Sequence, residues 1–317
     1  MRRGGEAGDS HGGKRCRRLP VVASVPMQAP IPRASSPFGS LLRQWRAVRG
    51  ASQLALAIEA GTTPRYVSFV ETGRARPSRH MVERLARALE VPLRERNELL
   101  LAAGFAPLYS AEPLESAAMA RVDWALSRML DQHEPFPAVV MDRGWNLRRA
   151  NAGAGVLFGR LFAPDPVPAE ANVLRLFVEP GPVREHVANW PAVVVALLER
   201  ARREAVGGVF DPETADLVGE LRARDDIRPL LAAPAPLGLP APVIDVRFAV
   251  GGAELSFFSV VSTVGTPVDV TAQELRIEAF FPADDATRAA WSRVRSVTSA
   301  SGRRSSAQVG TGFSTWA

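Results

Sequence analysis

Residues 52–78 read SQLALAIEAGTTPRYVSFVETGRARPS, and this stretch decides the fold. Ser52 is placed to cap a short helix ending at Gly61, while Thr63 caps and Pro64 opens a second helix that Gly73 closes. Two short helices joined by so tight a turn cross steeply, and Gly61 tolerates the bend because glycine accepts a positive φ. The touching faces must be small and apolar, which Leu56, Ala57, Ala60, Val67 and Val70 satisfy. The opposite face of the second helix is then free to enter a DNA major groove with its N-terminus leading.

Arg65 and Ser68 lie on that free face with Thr63, Tyr66 and Phe69 around its rim, and these five are the expected base contacts. Arg65 carries the fork that pairs bidentately with guanine, a contact worth about 1–3 kcal/mol of base discrimination. Gln53 stands near the N-terminus of the preceding helix. It is expected on a phosphate, as are Arg43, Arg46, Arg74, Arg76 and Arg79.

Working outward, caps and apolar stripes describe five short helices between Pro37 and about Tyr109. Leu41, Leu42, Trp45 and Val48 share a face of the first, which stops at Gly50. Ser78 caps a fourth helix carrying Met81, Leu85 and Leu89, and Pro92 separates it from LRERNELLLAAG. The string S-Q-x-x-L-A-x-x-A-G, followed by a capped helix ending V-E-T-G-R-x-R-P-S, resembles the Cro/C1-type (Xre) DNA-binding domain over residues 37–105. The resemblance implies a phosphate contact for Gln53, groove positions from Thr63 to Ser68, and a tie from Glu71 to the loop that follows. Leu54-Ala55 departs from the charged pair more usual there, and an antitoxin-like protein contact through the same fold is the alternative reading.

The charge supports the DNA reading only once it is located. The 317-residue chain has a net charge of +6, with 39 basic residues that are all Arg except Lys14, the usage expected of a GC-rich coding sequence. Residues 1–36 and 37–110 each carry +5, whereas 111–317 carry −4. Hydrophobic residues make up 46%, enough for real cores, and no apolar run approaches the roughly 18–20 residues of a membrane span. VVASVPM is short and Pro-broken, so no secretory signal is expected and the location follows as cytoplasmic. Cys16 is the single cysteine, which excludes an internal disulfide and any multi-cysteine metal site. Residues 1–36 lack periodicity and are expected to be a disordered basic tail; the start codon itself is open to misassignment.

Beyond 110 the pattern changes. A helix is expected from about Leu114 to Gln132, then a hairpin in AVVMDRGWNLRRAN with Trp145 and Leu147 on one face, then a helix over Ala152–Phe162. Residues 172–230 read as helical. VIDVRFAV alternates through Ile244, Val246, Phe248 and Val250, Gly251-Gly252 turns into ELSFFSVVSTV, and ELRIEAFF alternates on Leu275, Ile277 and Ala279. A capped helix from Asp284 precedes an expected disordered tail over 296–317. The fold class is therefore multidomain: an all-α helix–turn–helix domain over 37–109, then a PAS-like α+β domain over 110–295. VVMDRGWNLRRAN and GTPVDVTAQELRIEAFFPAD also resemble the ligand-binding half of MmyB-like transcription regulators, which implies a small, mostly apolar ligand, with fatty acid as one class. Ile227 and Leu230 stand where such proteins often carry F-x-x-L-W.

A pocket between sheet and helices would be lined by Trp145, Phe158, Phe162, Leu174, Phe177, Trp190, Val194, Phe248 and Phe257, with Asn151, Asn172 and Arg175 as polar anchors. Enzymatic readings fail. His133 and His186 are isolated from metal-spaced partners, no nucleophile elbow or P-loop occurs, and Gly153, Gly155 and Gly159 form a glycine motif one residue longer than the dinucleotide fingerprint. Asp225-Asp226 reads as a solvated pair. No catalytic residue, metal or cofactor is expected. The expected partners are double-stranded operator DNA, a small apolar ligand and a second copy of the chain, since one recognition helix reads too few bases alone. The alternative is a DNA-binding adaptor whose second domain only mediates dimerisation or protein contacts.

Overall fold

The computed structural model describes residues 36–207, 212–233 and 243–305. Its N-terminal head contains α1 (Pro37–Val48), α2 (Gln53–Glu59), α3 (Pro64–Glu71), α4 (Arg79–Ala88) and α5 (Leu93–Ala102). The side chains of Ser36, Ser52, Thr63 and Ser78 each accept the N–H three residues on, satisfying donors that a helix start leaves unpaired. Gly61 and Gly73 sit at φ 61° and 72°, where a Cβ is unfavourable. Leu42, Leu56, Ala57, Val67, Val70, Val82 and Leu85 form the core. Val48 does not join it: it is the last residue of α1 and is 38% exposed, while the next residue, Arg49, donates to the carbonyls of Leu89 and Glu90. α1 crosses α3 so closely that a Cβ on Gly39 would lie 2.7 Å from the Val70 oxygen and 2.6 Å from that of Glu71.

The body begins with a 3₁₀ turn (Ala117–Met119) and α6 (Ala120–Gln132). The helix expected from Leu114 starts later because the preceding backbone is drawn elsewhere. The Ser110 carbonyl accepts the Val270 N–H, and the backbone N–H of Glu112 donates to Asp269 Oδ2. There follow β1 (Ala138–Met141), β2 (Leu147–Ala150), α7 (Ala152–Phe162), α8 (Val173–Val178), α9 (Pro182–Glu185), α10 (Trp190–Gly207), α11 (Pro212–Ala223) and α12 (Arg228–Ala232). The chain ends with β3 (Val246–Val250), β4 (Ala253–Thr263), α13 (Val270–Glu274), β5 (Arg276–Pro282) and α14 (Asp285–Ser305). The five strands form one antiparallel sheet in the order β2-β1-β5-β4-β3, the α+β body expected.

β1 is buried along its whole length because both faces of the sheet are covered there. Val139 and Met141 face the main core with α7, α8 and α10, while Ala138 and Val140 face α6 together with Leu275 and Ile277. Gly251 and Gly252 turn β3 into β4 with φ 59° and 77°, as a two-residue hairpin of this hand requires. Ile244 falls outside β3 and is exposed, so the alternation begins only at Val246. Trp145 is not in a strand either. It occupies the β1–β2 turn at φ 66°, costly for a bulky residue, and its ring is fully buried.

The terminal tails need one correction. Residues 296–305, expected to be disordered, continue α14 for more than two turns. Its docked first turns, held by Trp291, supply the nucleus from which extension costs little. The remainder of that tail and residues 1–35 lie outside the described residues. Head and body pack together within one compact unit.

Candidate nucleic-acid interface and ligand core

α3 presents its N-terminal turn outward. Thr63 and Arg65 are exposed, Ser68 and Phe69 are half-buried, and the side of the helix holding Val67 and Val70 is sealed against the head. The guanidinium of Arg65 lies 5.1 Å from the centroid of the Phe69 ring, and that of Arg74 lies 5.9 Å from it. Cation–π contact of this kind pre-orders flexible arginines at modest cost. Phe69 is thus a shelf for two guanidinium groups as well as a rim residue. Tyr66 packs partly into the head, and burial raises its phenol above the ordinary value. Arg76 is exposed, and Arg79 is exposed beside Glu83 at 3.7 Å.

Two expected phosphate residues are occupied instead by the interior. Arg46 donates from Nε to Glu71 Oε1 at 2.7 Å, from Nη2 to Oε2 at 3.2 Å and from Nη1 to the Ala51 carbonyl. It is a structural residue, because a buried carboxylate demands a fixed cation and Arg46 makes the close pair with it, while Arg43 Nε stands off at 3.7 Å. Gln53 donates from Nε2 to Glu71 Oε2 at 2.8 Å, so one of its two amide hydrogens is committed to the head. Arg43 reaches the backbone oxygen of Glu71 at 3.0 Å but remains half-exposed. Burial would raise the Glu71 carboxyl; the hydrogen bonds from Arg46 and Gln53 and the charges of Arg46 and Arg43 outweigh it and hold the group below the usual carboxylate range. The tie expected of Glu71 runs back to α1 and α2 through its side chain.

In the body, the side chains expected to line a pocket pack chiefly against one another. Trp145, Phe158, Phe162, Leu174, Phe177, Val194, Phe248 and Phe257 belong to one buried cluster, with Trp190 partly buried against it. The three polar anchors are all engaged. Asn151 caps α7 and bonds the backbone of Ala138 and Phe136; Asn172 caps α8 and donates to the Gly144 carbonyl. Arg175 is 42% exposed and paired with Glu220 and Glu179, so it offers no buried cation to a ligand. The Trp190 indole donates to the Phe177 carbonyl and lies under Arg184 at 3.7 Å. An open cleft of about 1360 Å³ lies between head and body instead, with polar walls that include Arg94, Glu98, Asp142, Arg148 and Glu274.

The chemically unusual place is Trp145. Arg200 and Arg276 bring their guanidinium carbons to 4.7 and 4.8 Å from its ring centroid. Glu204 pairs with both arginines, and Arg200 also approaches Glu278 at 3.3 Å. Three buried donors there have no acceptor among the described residues: Trp145 Nε1, Arg200 Nη2 and Arg276 Nε. Sequence reasoning singled out Trp145 but missed both arginines. Arg276 alternates with Leu275 and Ile277 and so reads as solvent-facing, although Phe280 on the same side signals that this face is covered.

The fold and these two sites define a DNA-binding transcription regulator with a separate ligand-binding domain. Residues 37–99 match a helix-turn-helix domain family, and residues 122–293, more than half the chain, match the MmyB-like transcription regulator ligand binding domain; the chain belongs to that family. Both families are regulatory. The restriction-modification controller protein C.AhdI from Aeromonas hydrophila is 38% identical over a match covering 19% of this chain and 92% of that one, with a TM-score of 0.19. No curated protein matches. Among the described residues no helix is long and apolar enough to cross a membrane, and no cluster of three or more His, Cys, Asp or Glu is placed to hold a metal.

Proposed function

We infer that the chain acts as a homodimer that reads an operator with α3 and answers to a small, mostly apolar ligand held by the body. The observation carrying the DNA half is the arrangement on α3: exposed Arg65 at its N-terminal turn, pre-ordered with Arg74 by Phe69, and bordered by Arg43, Arg76 and Arg79. Thr63, Arg65, Tyr66, Ser68 and Phe69 face base edges; Arg43, Arg74, Arg76, Arg79 and the second amide hydrogen of Gln53 face phosphates. Two copies on half-sites one DNA turn apart double the sequence read. Selection of bound sequences from a random duplex pool tests this: a two-fold symmetric site supports it, and recovery of unrelated sequences overturns it.

The ligand half is supported by the three unmatched donors around Trp145, since a buried donor without an acceptor costs about 1–3 kcal/mol. A ligand with an apolar body and an acceptor end, such as a fatty carboxylate, complements them. Native mass spectrometry of the purified protein tests it through a co-purifying mass of lipid size. The second reading, an adaptor with a filled body, draws on the mutual packing of the expected pocket side chains. It predicts a bare mass and operator affinity indifferent to lipid extracts.

A further inference from the structure

The β1–β2 turn, residues 142–146, touches both the Trp145 site and the DNA-binding head. At one end Arg276, whose guanidinium lies over Trp145, donates from Nη2 to the backbone oxygens of Asp142 at 2.9 Å and Arg143 at 3.1 Å. At the other end Arg143 crosses the domain junction. Its Nη1 donates to Glu95 Oε1 of α5 at 3.0 Å and to Glu274 Oε1 of α13 at 2.7 Å. Glu274 in turn grips Arg94 of α5 through both oxygens at 2.7 Å each, and the Leu93 N–H that opens α5 donates to Gln273 Oε1 at 2.7 Å.

From Arg276 the contacts run through the backbone and side chain of Arg143 to Glu95 and, by way of Glu274, to Arg94 in the first turn of α5, with the Leu93–Gln273 bond beside them. Glu95 is 1% exposed and its second oxygen has no partner, so its carboxylate depends on Arg143. Burial pushes that carboxyl above its ordinary range in spite of the charge and hydrogen bond of Arg143. The turn is also held with Trp145 in the left-handed region, a conformation a bulky residue keeps only when its surroundings impose it. We propose that the β1–β2 turn is the coupling element between ligand core and DNA head: displacement of Arg276 releases the Asp142 and Arg143 carbonyls, swings Arg143, and loosens α5 from α13. Arg143 and Arg276 are positioning residues in this scheme, and it rests on the ligand reading above for its biological use.

The test is amide hydrogen exchange on the full chain without DNA or added ligand, so operator or ligand binding cannot confound it. Arg143→Ala is expected to speed exchange of the α5 first-turn amides, Leu93 above all, by at least tenfold while amides of α3 and β4 keep their protection. Arg276→Gln, at the remote end, is expected to give the same rise, and the double variant no more than either alone. A rise with Arg143→Ala but none with Arg276→Gln overturns the proposal, as does no rise with either. If Arg276→Gln exposes β4 amides through general loosening, Arg276→Lys decides: it keeps the charge near Trp145 but ends one bond short of Nη2, the one nitrogen that serves both carbonyls, and an unchanged α5 then overturns the coupling. A negative result leaves operator and ligand binding to stand on their own tests.

Discussion

Glu71 at the end of the recognition helix and Arg46 in the first helix form a bidentate pair, with Nε to Oε1 at 2.7 Å and Nη2 to Oε2 at 3.2 Å around a carboxylate only 1% exposed. The pair spans 25 residues of sequence and fixes α3 against α1 and, through Gln53, against α2.

Removing that carboxylate charge should therefore cost the head heavily. Glu71→Gln leaves Arg46 without its counter-ion, a loss of up to about 3–5 kcal/mol. Because the folded carboxyl is held below its ordinary 4.5, the unfolded chain binds the proton more readily. This contribution is present above pH 4.5 and is lost as the pH falls through the lower folded value. Chemical denaturation at neutral and acid pH checks both points: the variant should be weaker at pH 7 and lack that part of the acid loss.

Arg65→Ala and Arg74→Ala should separate base reading from phosphate contact. The first relaxes preference at one base-pair position by about 1–3 kcal/mol, while the second weakens all sequences alike and lowers the salt slope by about one. Phe69→Ala removes the shelf under both groups, so it should combine the two effects. Binding isotherms at several salt concentrations on cognate and single-substituted operators measure these terms.

The glycines of α7 should respond with opposite signs. A Cβ on Gly153 would lie 2.7 Å from the Phe136 oxygen and 2.8 Å from that of Pro135, so Gly153→Ala overpacks a backbone contact and costs about 1–3 kcal/mol. Nothing lies within 4 Å of a Cβ on Gly155, and Gly155→Ala should stabilise by about 0.5–1 kcal/mol. Thermal unfolding of the two variants decides it, and would assign the glycine spacing to packing rather than to a nucleotide.

Trp291 anchors α14: it is fully buried, meets Phe257 edge-on at 5.8 Å and donates to the Pro135 carbonyl at 2.8 Å. Trp291→Ala should cost about 3–5 kcal/mol. Trp291→Phe, which keeps the ring and loses the donor, should cost less. Urea midpoints at constant m-value measure both.

The head was legible because its signals are local. Ser52, Thr63 and Ser78 announce helix starts and Gly61 and Gly73 announce ends, each within a few residues of what it controls. What escaped depends on pairings distant in sequence. Arg46 looked like any exposed arginine until Glu71, 25 positions away, met it. Arg175 looked like a buried anchor, yet the fold placed it at the surface opposite Glu220. Trp145 was read as a pocket-lining residue on a strand face; it is buried, but its place in a turn rather than a strand goes with a left-handed backbone that no alternation pattern records. Composition needed the same care: arginine abundance points to nucleic acid only where the charge is unbalanced, and many arginines of the net-acidic body serve ion pairs there, such as those to Glu204 and Glu278.

The missing side chain at Gly39 lets the backbones of α1 and α3 touch directly. A joint made of main chain keeps its angle whatever side chains surround it, so the recognition helix cannot be re-aimed by small changes in its neighbours. On the operator reading proposed above, new target sequences follow from exchanging the outward residues at 65, 68 and 69 on an unmoving support. A graft of those three positions between related regulators should carry sequence preference with it.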